Sequence, residues 1–158
     1  YLQCETHWLV RYTEDRDLWK WEQPDSREVN AALSSYPREF AQWELLSDRG
    51  TTPMIAEGRA ILRYQKQVVD NLCKGAYEYE IAGHKVPVVN TPILQSEVAG
   101  RMAESALFAA TWFAIKPGKI VVSLRSRGEF DVSTIASALG GGGHKNAAGF
   151  ETDELICL

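Results

Sequence analysis

The residues of this chain that are best suited to chemistry lie in a glycine-rich segment, in which Gly140 to Gly143 are followed by His144 and Lys145. Four consecutive glycines are costly in backbone entropy, so they are expected where the chain needs positive φ angles or a very close approach. Without side chains in the way, several backbone N–H groups can converge on one anion. His144 and Lys145 add side-chain donors directly beside them. The segment therefore predicts a binding site for a phosphate group.

Two other phosphate-binding motifs do not fit this segment. A Walker A loop needs Ser or Thr after its lysine, whereas Asn146 follows Lys145 here. A dinucleotide-binding Gly-x-Gly-x-x-Gly follows a strand, whereas these glycines follow a predicted helix. A flexible connector without a ligand stays open as an interpretation, because glycine runs are common in loops. The small residues from Asn146 to Gly149 are expected to open another helix, with its N-terminus at the anion.

Several ordered motifs around this segment resemble the C-terminal substrate-binding domain of DHH-family phosphoesterases. That group includes the nano-RNase, cyclic-dinucleotide and exopolyphosphatase-like enzymes. The motifs are Ser123-Leu-Arg-Ser126, Asp131-Val-Ser-Thr-Ile-Ala136, Gly140-Gly-Gly-Gly-His144 and Ala147-Ala-Gly-Phe150. The resemblance covers about residues 76–158.

The same resemblance implies roles for individual residues. His144 is the expected catalytic residue and contacts the substrate phosphate. Arg125 is expected to bind another phosphate or the sugar-phosphate backbone, and its permanent charge and bidentate geometry suit that contact. The full substrate-binding set that the resemblance implies, in which the last two residues are the weaker candidates, is Arg125, Gly141, Gly142, Gly143, Lys145 and Asn146.

A second candidate site is the acidic segment Glu14-Asp-Arg-Asp-Leu-Trp19, which has three carboxylates within four residues. By itself such a run is typical of a solvated acidic turn. The resemblance implies that this segment lies at the end of a DHH catalytic domain, where the last metal-binding Asp is found. Asp15 is the expected metal ligand and Asp17 is the alternative. Hard oxygen ligands suit Mn²⁺ or Mg²⁺.

The other metal-binding motifs of a DHH catalytic domain, including its Asp-His-His triplet, do not occur in this sequence. We therefore expect the chain to be part of a longer protein, with most Mn²⁺ or Mg²⁺ ligands elsewhere, and to be inactive as a hydrolase on its own. In the intact enzyme the expected reaction is metal-dependent hydrolysis of short oligonucleotides or small nucleotide phosphates. Two alternatives stay open: a noncatalytic nucleotide- or RNA-binding module, as on alanyl-tRNA synthetases, and a structural domain that forms a homodimer.

Periodicity and turn signals predict the elements that carry these residues. Helices are expected over 26–33, 37–46, 52–74 and 96–106 and from 131 or 133, and strand pairs over 77–81 with 85–89 and 108–115 with 119–124. Asp25 or Ser26 is expected to cap the first helix, with Glu28 at the position of a capping-box partner for Asp25, and Pro37 is expected to begin the second helix. The predicted fold is α/β (α+β), with the end of a catalytic domain at 1–20, a helical linker at 21–75, and a mixed-sheet domain with flanking helices at 76–158.

Composition and charge limit the classes of function. Hydrophobic residues make up 45% and charged residues 24%, as in a globular protein, and no apolar run approaches the roughly 20 residues that cross a bilayer. Cys4, Cys73 and Cys157 are far apart and odd in number, which favours a reducing cytoplasm over a disulfide framework. The net charge of −4 disfavours tight binding of long nucleic acids, but residues 116–145 carry a local +3. This distribution suits a nucleotide or a short oligonucleotide.

Overall fold

The computed structural model describes residues 6–18 and 20–153, which form two compact units with the boundary between Lys66 and Gln67. The elements in chain order are α1 (Trp8–Asp17), α2 (Ser26–Ser35), α3 (Phe40–Arg49), α4 (Thr51–Cys73), β1 (Tyr77–Ile81), β2 (His84–Asn90), α5 (Gln95–Met102), β3 (Phe108–Lys116), β4 (Lys119–Ser126), α6 (Val132–Ala138), β5 (Gly142–His144) and β6 (Ala147–Thr152). Within the described ranges, every helix is too short or too polar to cross a bilayer.

The first unit is helical and has a small apolar core. Leu46 and Met54 are fully buried in it, and α2 contributes Val29. Gly58 in α4 lies so close to α2 that an added Cβ would stand 1.8 Å from the carbonyl oxygen of Glu28. The missing side chain at this position therefore allows the backbones of α2 and α4 to approach each other.

The start of α2 differs from the predicted capping box. Asp25 occupies the N-cap position with a φ of 50°, but its side chain makes no capping hydrogen bond. It forms an ion pair with Arg59 instead, with 3.1 Å between oxygen and nitrogen. The carboxylate of Asp15 in α1 accepts the Ser26 hydroxyl and two N–H groups of the loop before α2, so it ties the start of α2 to α1 without capping a backbone N–H of the helix. The predicted cap by Asp25 is therefore wrong.

The second helix begins later than its proline suggests. α3 starts at Phe40, and Pro37 lies in the extended segment before it. Leu46 is buried in the core, and Arg49 in the last turn pairs with Glu57 at 3.0 Å. The prediction that Pro37 begins this helix is therefore wrong, since the preference of proline for the first helical position is only a weak local signal.

The second unit contains a six-stranded mixed sheet with the order β1-β2-β3-β4-β6-β5. β2 and β3 pair in parallel, and the other neighbouring strands pair antiparallel. The predicted hairpin of β1 with β2 and the predicted pair of β3 with β4 are both confirmed. The predicted α/β (α+β) fold class, with helices before and around a mixed sheet, is confirmed as well.

Successive side chains along each strand point to opposite faces of the sheet. Val122 and Leu124 of β4 belong to one buried cluster, together with Val132 of α6. The opposite face packs against α5, through an apolar cluster that consists of Val69, Val89, Val98, Met102, Ala103 and Ala109. Arg125 and Ser123 alternate with the buried residues of β4, so they project to the α5 face.

Two predictions for the second unit need correction. Residues from Ala147 onward form strand β6 rather than a helix, because Ala148 and Phe150 alternate into the core while β6 pairs with β4 on one side and β5 on the other. The helix that was expected to reach residue 106 ends at Met102 as α5, and a turn follows it.

Candidate phosphate-binding site

The glycine-rich segment forms a short β-hairpin at the edge of the sheet. β5 pairs with the beginning of β6, and Lys145 and Asn146 form the turn between them. The hairpin begins directly after α6, whose N-terminus is capped by the side chain of Asp131. The chain therefore presents His144 at the last position of an edge strand, beside a tight turn.

The register places His144 and Arg125 on the same face of the sheet. His144 pairs with Ala147, and Ala147 pairs with Arg125 on the next strand. Residues that pair directly across antiparallel strands project to the same side. His144 and Arg125 therefore flank Ala147, and with about 4.8 Å between neighbouring strands their backbones lie about 10 Å apart.

Small residues form the floor between these two side chains. Two residues further along the strands, on the same face, Gly142 pairs with Gly149, and Gly149 pairs with Ser123. An added Cβ at Gly142 would meet no atom within 4 Å. We call Gly142, Ala147 and Gly149 the floor. It offers an open surface beside His144.

The fold itself explains three of the four glycines in the run. Gly140 has a φ of 80°, which favours glycine. An added Cβ at Gly141 or Gly143 would lie 2.1 or 2.5 Å from a carbonyl oxygen of β6. Gly142 has neither constraint within the described residues, since its φ lies outside the left-handed region and its surroundings are open.

Arg125 is half-buried, and the chain holds part of its guanidinium group. Its Nη1 donates to the carbonyl oxygen of Leu124 at 2.8 Å, and its Nη2 donates to the hydroxyl of Ser96 at 2.7 Å. Burial lowers the pKa of Arg125 from its ordinary value, and the nearby Glu97 carboxylate partly offsets this. A partly desolvated cation of this kind is stabilised by an anionic partner.

The side chains around the hairpin turn differ in their partners. His144 is exposed, and its side chain makes no hydrogen bond or ion pair with the part of the chain that the structure describes. Lys145 pairs with the exposed carboxylate of Glu129 at 2.8 Å. The amide of Asn146 donates to the hydroxyl of Ser126 at 3.0 Å. Of these three side chains, His144 is the one that is free to reach a ligand.

Asp15 lies in the first unit, in the last part of α1, so the three carboxylates of the acidic segment belong to a helix and not to a solvated turn. Its Oδ1 accepts the N–H of Glu22 at 2.8 Å, and its Oδ2 accepts the Ser26 hydroxyl at 2.5 Å and the N–H of Gln23 at 3.3 Å. Burial raises the pKa of Asp15, but these hydrogen bonds outweigh burial, and the pKa lies below its ordinary value. Asp17 is exposed at the end of the helix.

Residues 6–18 and 20–153 contain no group of three or more His, Cys, Asp or Glu side chains that could hold a metal ion. The assignment of Asp15 as a metal ligand, with Asp17 as its alternative, therefore stays a prediction. What the structure adds is that both oxygens of Asp15 already accept hydrogen bonds from the chain.

A cleft of about 360 Å³ lies elsewhere in the second unit. Its lining includes Asp70, Cys73, Lys74, Pro87 and Arg101, and none of the predicted site residues. The predicted residues that share a face are thus arranged on an open surface and not in this cleft.

Sequence reasoning did not identify two serines that support the candidate site. Ser96 holds the guanidinium of Arg125, and Ser126 accepts the hydrogen bond from Asn146. Ser126 had a signal, since it ends the Ser123-Leu-Arg-Ser126 motif. Ser96 had only its place at the start of a predicted helix.

Comparison with known proteins gives three findings. The DHHA1 domain matches residues 88–156. Uncharacterized protein R106 of Acanthamoeba polyphaga mimivirus is 29% identical in an alignment of 151 positions that covers 89% of this chain and 36% of that protein. The structure of the pGpG-specific phosphodiesterase PggH from Vibrio cholerae superposes with a TM-score of 0.51 at 12% identity, over 95% of this chain and 63% of that chain.

This chain thus spans about a third of the length of the viral relative and less than two thirds of the phosphodiesterase chain. The likeness to the phosphodiesterase is one of fold. The matched domain begins in β2 and includes α5, α6 and the glycine-rich hairpin. Residues 88–156 of this chain therefore form a DHHA1 domain, which is the domain that the resemblance to DHH-family phosphoesterases led us to expect.

Proposed function

We propose that this chain binds the phosphates of a short oligonucleotide or small nucleotide phosphate for hydrolysis by a DHH-family phosphoesterase. One observation carries this proposal. The register of β4, β6 and β5 sets Arg125 and His144 on one face, on either side of the floor. Two donors beside an open, side-chain-poor surface are an arrangement that suits an anionic ligand.

The separation of the two donors favours a ligand with more than one anionic group. Their backbones are about 10 Å apart, so successive phosphates of a nucleotide chain can each meet one of them. Arg125 can bind its phosphate with the guanidinium N–H groups that Ser96 and Leu124 leave free. Lys145 can add a further contact, because an exposed ion pair such as that with Glu129 is weak and easily exchanged.

In this proposal His144 and Arg125 have different tasks. His144 donates a hydrogen bond to a phosphate oxygen and stabilises the negative charge that develops there during hydrolysis. Arg125 holds a second phosphate and so orients the first. Gly142 keeps the surface beside His144 free of side-chain atoms, and Gly141 and Gly143 allow β5 to lie close against β6.

The described residues do not fit the Mn²⁺ or Mg²⁺ centre that the family resemblance implies. Asp15 is one candidate ligand, its two oxygens already accept N–H and O–H groups, and no further ligand cluster lies within the described ranges. The role proposed for this chain is therefore to bind and orient phosphate groups. We expect no turnover by the chain alone.

Calorimetric titration with a 5′-phosphorylated dinucleotide tests the proposal. Arg125→Lys should weaken binding by about 10-fold, equivalent to about 1.4 kcal/mol, because the compact ammonium lacks the planar fork with which a guanidinium binds a phosphate bidentately. Arg127→Lys is the matched control, since Arg127 is exposed and pairs with Glu104 at 2.9 Å. Its affinity should stay within about 2-fold of the original.

A second titration uses the same dinucleotide without its 5′-phosphate. Loss of that phosphate should weaken binding to the original chain by about 10-fold or more, because one of the two donors loses its partner. Equal affinity for both dinucleotides would contradict phosphate recognition by this face. Hydrolysis of the dinucleotide by the chain alone in added Mn²⁺ would contradict the proposal that this chain only binds and orients phosphate groups.

A further inference from the structure

Asn146 is tied to the chain by both its side chain and its backbone. Its Nδ2 donates to the Ser126 hydroxyl at 3.0 Å and to the carbonyl oxygen of Gly128 at 3.2 Å. Its carbonyl oxygen accepts the N–H of Ser126 at 3.2 Å. Two of these three hydrogen bonds go to the same residue, so Ser126 is the main anchor of the turn.

Ser126 is buried, with 6% of its surface exposed, and it joins the turn to the loop before α6. Its hydroxyl donates to the carbonyl oxygen of Phe130 at 2.7 Å and lies 3.3 Å from that of Lys145. The N–H of Val132 donates to the same Lys145 carbonyl at 2.9 Å. The backbone of the turn is therefore fixed from two sides, through the serine and through the first residue of α6.

His144 directly precedes this anchored turn, and no described residue holds its imidazole by a hydrogen bond or an ion pair. We propose that Asn146 is a positioning residue, which acts through Ser126 to hold His144 beside the floor, and not a direct ligand of the phosphate. This inference rests on the proposed function, since that function gives His144 its role. A supporting hydrogen bond of this kind keeps a functional side chain in its productive geometry.

The first test needs no ligand. The sequence contains three histidines, His7, His84 and His144, so correlation spectra of the imidazole nitrogens contain three sets of ring signals. Asn146→Ala should shift or broaden the signals of His144 and leave those of His84 unchanged. Unchanged His144 signals would overturn the inference.

The matched control for this spectrum is Glu129→Gln. Glu129 is almost fully exposed and pairs with Lys145 of the same turn, but it does not contact Ser126. Its substitution should leave the His144 ring signals as they are. An equal change in both variants would mean that any alteration near the turn moves His144, and it would overturn the specific role of Asn146.

The second test measures the affinity for the 5′-phosphorylated dinucleotide in Asn146→Ala, Ser126→Ala and the double variant. Each single substitution should weaken binding by about 10-fold. The double variant should bind no more weakly than the weaker single variant, because both substitutions remove the same hydrogen bond between Asn146 and Ser126. If the double variant instead lost affinity by the product of the two single fold-changes, the inference would be overturned. Such a result would mean that Asn146 contacts the ligand directly and independently of Ser126.

The two tests separate this inference from the proposed function. If the original chain does not bind the dinucleotide, the proposed function fails, and the ligand-free His144 signals still decide the role of Asn146. If Ser126→Ala does not fold, Asn146→Ala and Glu129→Gln remain, and their spectra decide alone.

Discussion

Gly142→Ala is the substitution that best separates ligand binding from folding in the glycine-rich hairpin. The added methyl group would project from the face that carries His144 and Arg125, where no atom of the chain lies within 4 Å. The φ of Gly142 does not require glycine. If the open space beside His144 is the phosphate site, the methyl group occupies part of that space.

The expected effects on folding and on binding have opposite signs. Alanine in a permitted conformation stabilises a protein by about 0.4–1 kcal/mol, because it restricts the unfolded chain. Binding should weaken by about 10-fold or more, which is at least about 1.4 kcal/mol. Gly141→Ala is the comparison: its Cβ would stand 2.1 Å from a backbone oxygen, and overpacking of this kind costs about 1–3 kcal/mol of stability.

Thermal unfolding and calorimetric titration with a 5′-phosphorylated dinucleotide measure both quantities on the same samples. We expect Gly142→Ala to unfold at or above the original temperature and to bind poorly. An unchanged affinity in a folded Gly142→Ala variant would refute the assignment of the floor as the phosphate site. A large loss of stability in the same variant would refute the structural reasoning instead.

Three further predictions concern the support of the fold. Asp15→Asn should lower the Tm in buffer with EDTA, because an amide leaves at least one donor, such as Ser26, without its acceptor; an effect seen only with added metal would contradict this. The pKa of Asp131 is lowered by hydrogen bonds from the residue two positions on, so its carboxylate stabilises the fold above its ordinary pKa of about 3.9 and this contribution is lost as the pH falls through the lowered value. The Tm difference between Asp131→Ala and the original chain should therefore shrink in acid, and a difference independent of pH would contradict this cause. Gly58→Ala should cost about 3 kcal/mol in denaturant unfolding, because its Cβ would overlap the Glu28 carbonyl; an unchanged midpoint would contradict the close approach of α2 and α4.

Local patterns predicted those elements whose stability comes mainly from their own sequence. The apolar periodicity of α4 and the turn at Ala82 and Gly83 each indicated one structure, and both predictions are confirmed. Asp25 and Pro37 carried local signals for a helix cap and a helix start, but the structure uses neither residue in that way. The side chain of Asp25 pairs with Arg59 instead of capping α2, and α3 begins at Phe40, three residues after Pro37.

The sequence indicated candidate residues for the site but not how the fold arranges them. The glycine run and His144 indicated anion binding from their chemistry alone. The sequence after Asn146 is short and rich in small residues, and such a stretch does not distinguish a helix from a strand. That the stretch is β6, and that Ala147 therefore lies between His144 and Arg125, depends on pairing with β4, which local sequence does not reveal.

The most direct test of phosphate binding by the hairpin is a nuclear magnetic resonance titration of the isotope-labelled chain. The titrants are a 5′-phosphorylated dinucleotide and the same dinucleotide without its 5′-phosphate. We predict saturable shifts for the amides of Gly141 to Gly143 and for the ring of His144 with the phosphorylated ligand, and much smaller shifts with the other. Shifts confined to residues away from β4, β5 and β6, or equal shifts with both ligands, would contradict the assignment of this face as a phosphate site.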